Sequence, residues 1–373
     1  PGFRIAIDTE AVLMKQEVLE ELFEDSFQQG NEGFIRLVEA FGGGRDDGRL
    51  KELVYNIYSF AMGGPYPEKW LRDKAEDFNL PEDYDLSNSP WGRILLESAA
   101  VELRGLKSRL ILALDICEED EGLQPYAENF KDDIRIIEYL IDALDKGFKE
   151  GSMAFDGVKF STLKRLKKGA EYDEDSQAKV KAIREEVKKK VKDIGSSMFS
   201  VSMEESVKNI IDMYPFMQEL SELVLEFNER YKSAKKDRGV LDFNDLEHYC
   251  LEILLDKESE EPKPSAVALE LRESFEEVLV DEYQDSNNVQ ETIINMVSRK
   301  FTDKPNVFMV GDVKQSIYRF RQAKPELFLD KYARYSEEEG ASERKILLYK
   351  NFRSRDEVIR GVNYIFKELM SET

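Results

Sequence analysis

Two short apolar segments on either side of an amphipathic one constrain the fold of this chain most. EVLV covers residues 277–280, NNVQETIINMVSRKF covers 287–301 with apolar residues at helical spacing, and NVFMV covers 306–310. A strand, a helix and a second strand in this order form a βαβ unit, whose two strands run parallel. The sequence therefore predicts a parallel sheet in the last third of the chain.

Both predicted strands end at acidic residues. Asp281 and Glu282 follow the first strand, and Gly311–Asp312 follows the second. Ligands of open α/β sheets bind beyond the carboxyl ends of the strands, and carboxylates there suit a magnesium ion shared with phosphates. One carboxylate would hold the ion or its water, and its neighbour would deprotonate an attacking water. The alternative is a solvated loop that happens to begin with two acids.

The loop after the second strand favours the site over the solvated loop. GDVKQSIYRFRQA, residues 311–323, holds a glutamine, two aromatic residues and two arginines. Gln315 can donate a hydrogen bond to a phosphate oxygen or to an attacking water. Tyr318 and Phe320 can stack on unpaired bases while the arginines hold the backbone. A buried aromatic cluster would explain one ring but not both.

A third apolar segment, KILLYKNF at 345–352, is predicted to be a strand that ends in NFRS. At its end Phe352 offers a ring for a nucleobase, and Arg353 offers a guanidinium group for phosphate. The residues that follow, DEVIRGVNYIFKEL, are predicted to form a helix.

The first two-thirds of the chain is predicted to be helical, with a bend near Pro215 and a short strand in 159–168. LDFNDLEHYCLEILL, residues 241–255, is predicted to be a helix capped by Asp242 or Asn244. Other segments with apolar residues at helical spacing are 8–27, 91–116, 128–148 and 203–239.

Composition limits the kinds of site that the chain can hold. Two cysteines and one histidine argue against a zinc site or a Cys–His nucleophile pair. No apolar run is long enough to span a bilayer and no signal peptide opens the sequence, so we expect a cytoplasmic protein. The net charge of −23 argues against binding nucleic acid, although residues 164–168 and 179–192 are locally basic.

These basic segments have two interpretations. They form a solvated helix face with ion pairs such as Glu185–Lys189 and Glu186–Lys190, which we favour, or they contact duplex DNA.

Three motifs together carry a resemblance to a known family. DEYQD, GDVKQSIYRFRQA and NFRS, in this order, resemble motifs of the UvrD/RecB-like superfamily-one DNA helicases. LDFNDLEH at 241–248 and the opening PGFRIAIDTEAVLMKQEVLEELF resemble, more narrowly, the AddA family of ATP-dependent helicase/nuclease subunits. The resemblance implies ATP and Mg²⁺ as cofactors, DNA as single strands and duplex ends as substrate, an AddB-like partner subunit, and no membrane. The implied activity is translocation and unwinding in double-strand break repair and recombination.

The resemblance also implies roles for individual residues. Asp281 would bind Mg²⁺ of Mg-ATP, and Glu282 would activate the hydrolytic water. Gln315 would sense the γ-phosphate, while Phe352 would stack on adenine and Arg353 would reach the γ-phosphate. Single-stranded DNA would contact Tyr318, Phe320 and Arg321. By contrast, Asp285 is expected to brace its loop and Asp312 to fix its turn.

The phosphate-binding motif of this family is missing, because the sequence contains no G-K-[ST]. We therefore expect an internal piece of a longer protein that does not hydrolyse ATP alone. The predicted fold class is α/β with a large all-α insertion, in which a partial RecA-like P-loop NTPase core lacks the P-loop strand. The predicted domains are the helical insertion of the first motor domain, the second half of its RecA-like core, and the start of the second motor domain, at 1–240, 241–344 and 345–373.

Three alternatives remain open at this point. A plain UvrD-like repair helicase without a nuclease would share the motor motifs. A metal-dependent nuclease would use Asp281, Glu282 and Asp285 as ligands, although no lysine-bearing acid cluster accompanies them. A non-catalytic module that binds a partner through the helical region would leave GDVKQSIYRFRQA unexplained.

Overall fold

The computed structural model describes residues 2–43, 46–257, 259, 262–302 and 304–370. The chain divides into two compact units. The first unit, here called the strand unit, comprises Pro1–Glu20, Tyr55–Glu68 and Asn228–Thr373, and the second, the helical unit, comprises Glu21–Val54 and Lys69–Phe227.

The first two-thirds of the chain is helical, as predicted. After the short strand β1 (Arg4–Ile5) come α1 (Asp8–Gln29), α2 (Glu32–Phe41), α3 (Gly48–Ala61), α4 (Pro67–Glu76), α5 (Pro90–Glu119), α6 (Gln124–Lys146), α7 (Phe148–Asp156), α8 (Glu174–Met198) and α9 (Met203–Asp237). Helix α9 continues through Pro215 as one helix.

Apolar side chains at helical spacing join α5, α6 and α8 into the core of the helical unit. Helix α5 begins where the Ser89 hydroxyl accepts a hydrogen bond from the Gly92 N–H at 2.9 Å, and Pro90 occupies its first turn. The fully buried side chains of this core include Leu103, Leu110, Phe130, Ile137, Leu140 and Val180. Burial of this apolar surface is what stabilises the three helices together.

The predicted strand in 159–168 is wrong, because these residues form neither strand nor helix. Side chains, not a neighbouring strand, satisfy the backbone here. The Asn129 amide oxygen accepts from the Lys164 N–H at 2.9 Å, and Arg184 donates to the Ser161 carbonyl at 2.8 Å. Helices thus hold the segment in place through polar side chains.

The predicted ion pairs of α8 are also wrong. Glu185 pairs with Lys188 at 2.9 Å, one position nearer than predicted, and Glu186 pairs with Arg109 of α5. Spacing along one helix could not reveal Arg109, because that partner comes from a different helix.

Short strands and helices make up the rest of the described chain. These are β2 (Val240–Leu241), α10 (Phe243–Leu254), α11 (Ala266–Ser274), β3 (Val278–Val280), α12 (Asn288–Val297), β4 (Val307–Met309), α13 (Pro325–Arg334) and α14 (Asp356–Leu369). Strands β3 and β4 pair in parallel with Val278 opposite Val307, which confirms the βαβ prediction. Strand β1 pairs with β2, also in parallel.

Helix α10 begins at a buried polar cluster. Asp242 caps it and accepts from the Asp245 N–H at 3.0 Å, while the Asp245 carboxylate accepts from the Asp242 N–H at 2.9 Å. Lys235 donates to both carboxylates. Of the two predicted caps, Asp242 is therefore correct and Asn244 lies inside the helix.

The predicted strand at 345–352 is wrong, since no residue in it belongs to a strand. Its apolar side chains are exposed, with Leu348 at 83% and Tyr349 at 84%. A strand needs a hydrogen-bonded neighbour, and the only bridge next to this segment in the described chain is the isolated pair Ser336–Arg344. The predicted helix after it is present as α14.

The observed fold is helix-rich with small parallel sheets. In the ranges that the structure describes, no helix has both the length and the apolar character required to cross a bilayer.

Candidate functional site

The ends of β3 and β4 lie side by side. The Val310 N–H donates to the Val280 carbonyl at 2.9 Å, and the Tyr283 N–H donates to the Val310 carbonyl at 2.9 Å. Backbone bonding thus continues past the last paired residues of both strands. As a result, Asp281–Glu282 and Gly311–Asp312 share one edge of the sheet, where the sequence predicted a site.

Asp281 is exposed at this edge with one carboxylate oxygen engaged. Its Oδ1 accepts from the Glu282 N–H at 2.9 Å, and in the described chain no hydrogen bond reaches Oδ2. A hard, open carboxylate oxygen fits Mg²⁺, which takes one or two protein carboxylates and completes its shell with water and phosphate oxygens. Among the described residues, no group of three or more His, Cys, Asp or Glu could hold a metal ion.

The nuclease alternative required Asp281, Glu282 and Asp285 to share a metal ion, and the described residues contain no such group of three acids. Asp285 turns inward instead. Its Oδ1 is buried without a hydrogen-bond partner in the described part of the chain, and its N–H donates to the Glu282 carbonyl at 2.9 Å. Its Oδ2 accepts from the Gln284 amide at 3.4 Å, and the role of Asp285 in bracing the loop stays a prediction.

Glu282 has a left-handed backbone conformation, with φ of 49° and ψ of 41°. A residue with a side chain pays about 1–3 kcal/mol for such a conformation, and such residues cluster at functional sites. Here the turn leaves the carboxylate exposed, and its Oε2 accepts from the Gln284 amide at 2.7 Å. Glu282 is therefore available to solvent but held in one orientation.

Gln284 was not predicted as a site residue. Its side chain is buried between the two strand ends, where its Nε2 donates to Glu282 and its Oε1 accepts from the Asp312 N–H at 3.0 Å. The sequence signal was a glutamine placed next to three acids. Its contact to Asp312 depends on the pairing of β3 with β4, which spacing within DEYQD does not reveal.

Asp312 fixes the turn after β4, as expected. Its Oδ1 accepts from the Lys314 N–H at 3.2 Å, and its Oδ2 accepts from the Gln315 amide at 3.2 Å. Gln315 is thereby tied to the same edge of the sheet as Glu282.

Tyr283 connects the DEYQD turn to helices α12 and α13. Its hydroxyl donates to Glu291 of α12 and accepts from Lys331 of α13, and Lys300 donates to Glu291 at 2.9 Å. Burial raises the pKa of Glu291, but the hydrogen bonds from Tyr283, Lys331 and Lys300 outweigh it and hold this pKa below its ordinary value. A buried carboxylate therefore stays ionised beneath the site.

The aromatic loop keeps both rings accessible. Tyr318 is 38% exposed and Phe320 is 74% exposed, with ring centroids 5.9 Å apart. The Lys324 N–H donates to the Ser286 carbonyl at 2.9 Å, which ties the end of this loop to the DEYQD turn. The side chain of Arg321 lies outside the described part of the structure.

Phe352 and Arg353 are not joined to the other predicted site residues by any described hydrogen bond or ion pair. Phe352 is 90% exposed. The Arg353 N–H donates to the Asn351 side chain at 2.9 Å, so the NFRS turn is stabilised locally. Their predicted contacts with a nucleotide remain predictions.

Comparison with known proteins agrees with these features. Residues 111–336 match the model of the UvrD/REP helicase N-terminal domain. The whole chain is 50% identical to an ATP-dependent helicase/nuclease subunit of Clostridium beijerinckii, covering 30% of that protein. It is 51% identical to the protein of the same name from Clostridium perfringens strain 13, covering 29% of it. For the protein of this name from Acetivibrio thermocellus the values are 46% and 30%.

The chain thus spans about 30% of the length of these relatives. The family model covers more than half of the chain and includes both strand ends and the aromatic loop. We conclude that the chain belongs to the UvrD/REP helicase family.

Proposed function

We propose that this chain is part of the motor of an ATP-dependent DNA helicase/nuclease subunit of the AddA type. The observation that carries the proposal is the shared edge of β3 and β4. At this edge lie the Asp281 carboxylate with one unbonded oxygen, the Glu282 carboxylate oriented by a hydrogen bond, and the amide of Gln315. The exposed aromatic loop with Tyr318 and Phe320 follows directly. ATP hydrolysis coupled to movement on DNA needs these parts together.

In this proposal the two acids divide the work of hydrolysis. Asp281 contributes its free oxygen to Mg²⁺, which would neutralise phosphate charge when bound with ATP. Glu282 accepts a proton from the attacking water, and its orientation is maintained by Gln284. Gln315 would contact the γ-phosphate, Phe352 would stack on adenine, and Arg353 would reach the γ-phosphate.

DNA binding is assigned to the aromatic loop. Phe320 stacks on a base of single-stranded DNA, assisted by Tyr318 and Arg321. Closure of two motor domains around ATP would move this loop along the strand.

The proposed architecture is a partial RecA-like core, with residues 1–240 as its helical insertion, 241–344 as its second half and 345–373 as the start of the second motor domain. The parallel β3–α12–β4 unit supports the core. The pairing of β1 with β2 supports the insertion, because residues 4–5 and 240–241 lie side by side where the chain leaves and returns.

The activity of the whole protein is proposed from its relatives, which are named ATP-dependent helicase/nuclease subunits. We propose DNA unwinding and degradation in break repair, with a second subunit of the AddB type. Because this segment has no G-K-[ST] motif, we expect it to show no ATPase activity on its own.

The test uses the full-length protein with its partner subunit on end-labelled linear duplex DNA with Mg²⁺. We expect short fragments with ATP and none with a non-hydrolysable analogue. Glu282→Gln should lower the DNA-stimulated ATPase about 10²- to 10⁴-fold, the usual contribution of a general base. Glu277→Gln, an exposed glutamate just before β3, is the matched control and should leave activity unchanged.

Two results would contradict the proposal in different ways. Separated strands of full length would identify a helicase without nuclease activity. Undiminished ATPase in Glu282→Gln would remove the strand-end acids from the reaction.

A further inference from the structure

We propose that Gln284 is a positioning residue that links the orientation of the Glu282 carboxylate to the loop that begins at Asp312. This inference rests on the proposed function, since it assigns a role beside the proposed base. Gln284 itself is buried and acts through Glu282, to which it donates a hydrogen bond.

Both ends of the Gln284 amide are used, and they face opposite strand ends. The Nε2 group donates to Glu282 Oε2 at 2.7 Å, and Oε1 accepts from the Asp312 N–H at 3.0 Å. The reverse orientation of the amide would place N–H against N–H at Asp312 and oxygen against oxygen at Glu282. The environment therefore permits one orientation of the side chain.

Gly311 makes room for this arrangement. A Cβ atom at residue 311 would lie 2.5 Å from Gln284 Oε1 and 3.3 Å from the Gln284 backbone nitrogen. The clash with Oε1 could be relieved only if the amide moved away from Asp312, and the tight contact with the Gln284 backbone nitrogen would remain. The absence of a side chain at Gly311 is thus what lets the amide reach the second strand end.

The bonds form a continuous path. Glu282 is bound by Gln284, Gln284 is bound by the Asp312 N–H, and the Asp312 carboxylate accepts from Gln315 at 3.2 Å. Gln315 lies in the same loop as Tyr318 and Phe320. If DNA binding displaced this loop, the hydrogen bond that orients the Glu282 carboxylate would change. Binding of DNA would in this way be coupled to the position of the proposed base.

A purely structural role is the competing explanation, since a buried amide must be hydrogen-bonded wherever it lies. The two explanations differ in what they leave unchanged. A structural glutamine affects stability and binding together. A positioning glutamine affects turnover under DNA stimulation while binding of ATP and DNA is retained.

The experiment compares Gln284→Met with Gln290→Met in the full-length protein with its partner. Gln290 is a matched control, because it lies in the same unit and its amide also donates to a glutamate, Glu247, at 2.8 Å. The measured quantities are kcat and KM for ATP with and without single-stranded DNA, and the Kd for DNA without nucleotide. Methionine keeps the length of the side chain and removes all three hydrogen bonds of the amide, including the one that Nε2 donates to Asp285 Oδ2 at 3.4 Å.

We expect Gln284→Met to lower the DNA-stimulated kcat by about 10- to 100-fold, the size typical of lost supporting contacts. KM and Kd should change less than about twofold, because a contact that only orients the base affects turnover and not ground-state binding. Gln284→Glu retains an acceptor for Asp312 but places a second carboxylate against Glu282, so it should lose kcat as well. Gln315→Met added to Gln284→Met should cost less than the sum of the single effects.

The inference would be overturned if Gln284→Met and Gln290→Met had the same DNA-stimulated kcat. It would also be overturned if Gln284→Met changed KM, Kd and kcat in parallel. Glu282→Gln separates this failure from failure of the proposed function. If Glu282→Gln is inactive and Gln284→Met is not impaired, only the inference is wrong. If Glu282→Gln remains active, the base assignment and the inference both fail.

Discussion

The helical unit and the strand unit both contain buried polar side chains, but they use them differently. In the helical unit, Arg184 binds Asp133 at 2.5 and 3.0 Å, and both side chains are almost fully buried. In the strand unit, buried Gln284 binds Glu282, whose carboxylate faces solvent. The Arg184–Asp133 pair is closed to solvent, and Arg184 also donates to the Ser161 carbonyl. The bond from Gln284 instead supports a group that remains available for reaction.

This difference shows how one kind of interaction can serve stability or chemistry. A closed pair contributes only to the fold, because nothing outside can reach it. Burial of the Gln284 amide also costs desolvation free energy, but this amide orients a carboxylate that is exposed to solvent.

The largest expected effect is on the closed pair. Arg184→Met leaves the Asp133 carboxylate buried and unpaired, which should cost about 3–5 kcal/mol. Hydrogen exchange of the full-length protein should therefore accelerate more than about 100-fold in peptides of α6 and α8. The double variant Asp133→Leu with Arg184→Met should recover most of this protection, while strand-end peptides should not change. Normal exchange in the single variant would contradict a stabilising role for the pair.

A second test concerns the exposed aromatic loop. Phe320→Ala should weaken binding of single-stranded DNA by about 1–3 kcal/mol, the usual value for stacking on one base. Fluorescence anisotropy with the full-length protein measures this loss. Tyr139→Ala, at a 60% exposed ring on α6 of the helical unit, is the control and should bind normally. Equal affinities in both variants would show that exposure alone does not mark a DNA contact.

The third test uses pH on the network below the acidic turn. Tyr283, Lys300, Lys331 and Asn295 face Glu291, and its pKa is held below the ordinary value of 4.5. The ionised form is therefore favoured by folding, and this stabilisation is complete above pH 4.5 and lost as pH falls below it. Thermal unfolding should show that Glu291→Gln is less stable than wild type near neutral pH.

The direction in which this stability difference changes with pH is an internal control. The difference in Tm between wild type and Glu291→Gln should shrink as pH is lowered below 4.5, because the stabilisation by ionised Glu291 is lost as pH falls through its lowered pKa. A difference that grows toward acid would reverse our assignment of the ionised form.

The smallest effect is expected on the outer face of α8. Lys188→Glu with Lys189→Glu removes a surface ion pair and should change stability by less than about 0.5 kcal/mol. The dependence of duplex DNA affinity on salt concentration should not change. Arg135→Glu on α6, whose partner Asp132 lies at 2.9 Å, is a matched reversal. A lower salt slope in the α8 variant alone would instead identify α8 as a duplex contact.

Local patterns in the sequence were sufficient for features that depend on neighbouring residues. Helices α5, α6 and α9 follow from apolar spacing, and the Asp242 cap follows from its place before an apolar run. The acids at the strand ends were predicted because Asp281 and Glu282 directly follow an apolar segment.

Features that depend on distant partners were not predicted. Residues 345–352 read as a strand by composition, but a strand requires a paired neighbour. Glu186 was assigned to Lys190, while the folded chain offers Arg109 from another helix. Gln284 escaped notice because its second partner, the Asp312 N–H, lies on another strand.

The sequence by itself determined the βαβ order, the acids at both strand ends and the motifs of the UvrD/REP helicase family, because each is encoded in consecutive residues. Only the tertiary structure decided which groups meet at the shared edge, how Glu282 is oriented, and that the segment 345–352 forms no strand. The physical reason is that hydrogen bonds across a sheet depend on the register between strands, which no single segment contains.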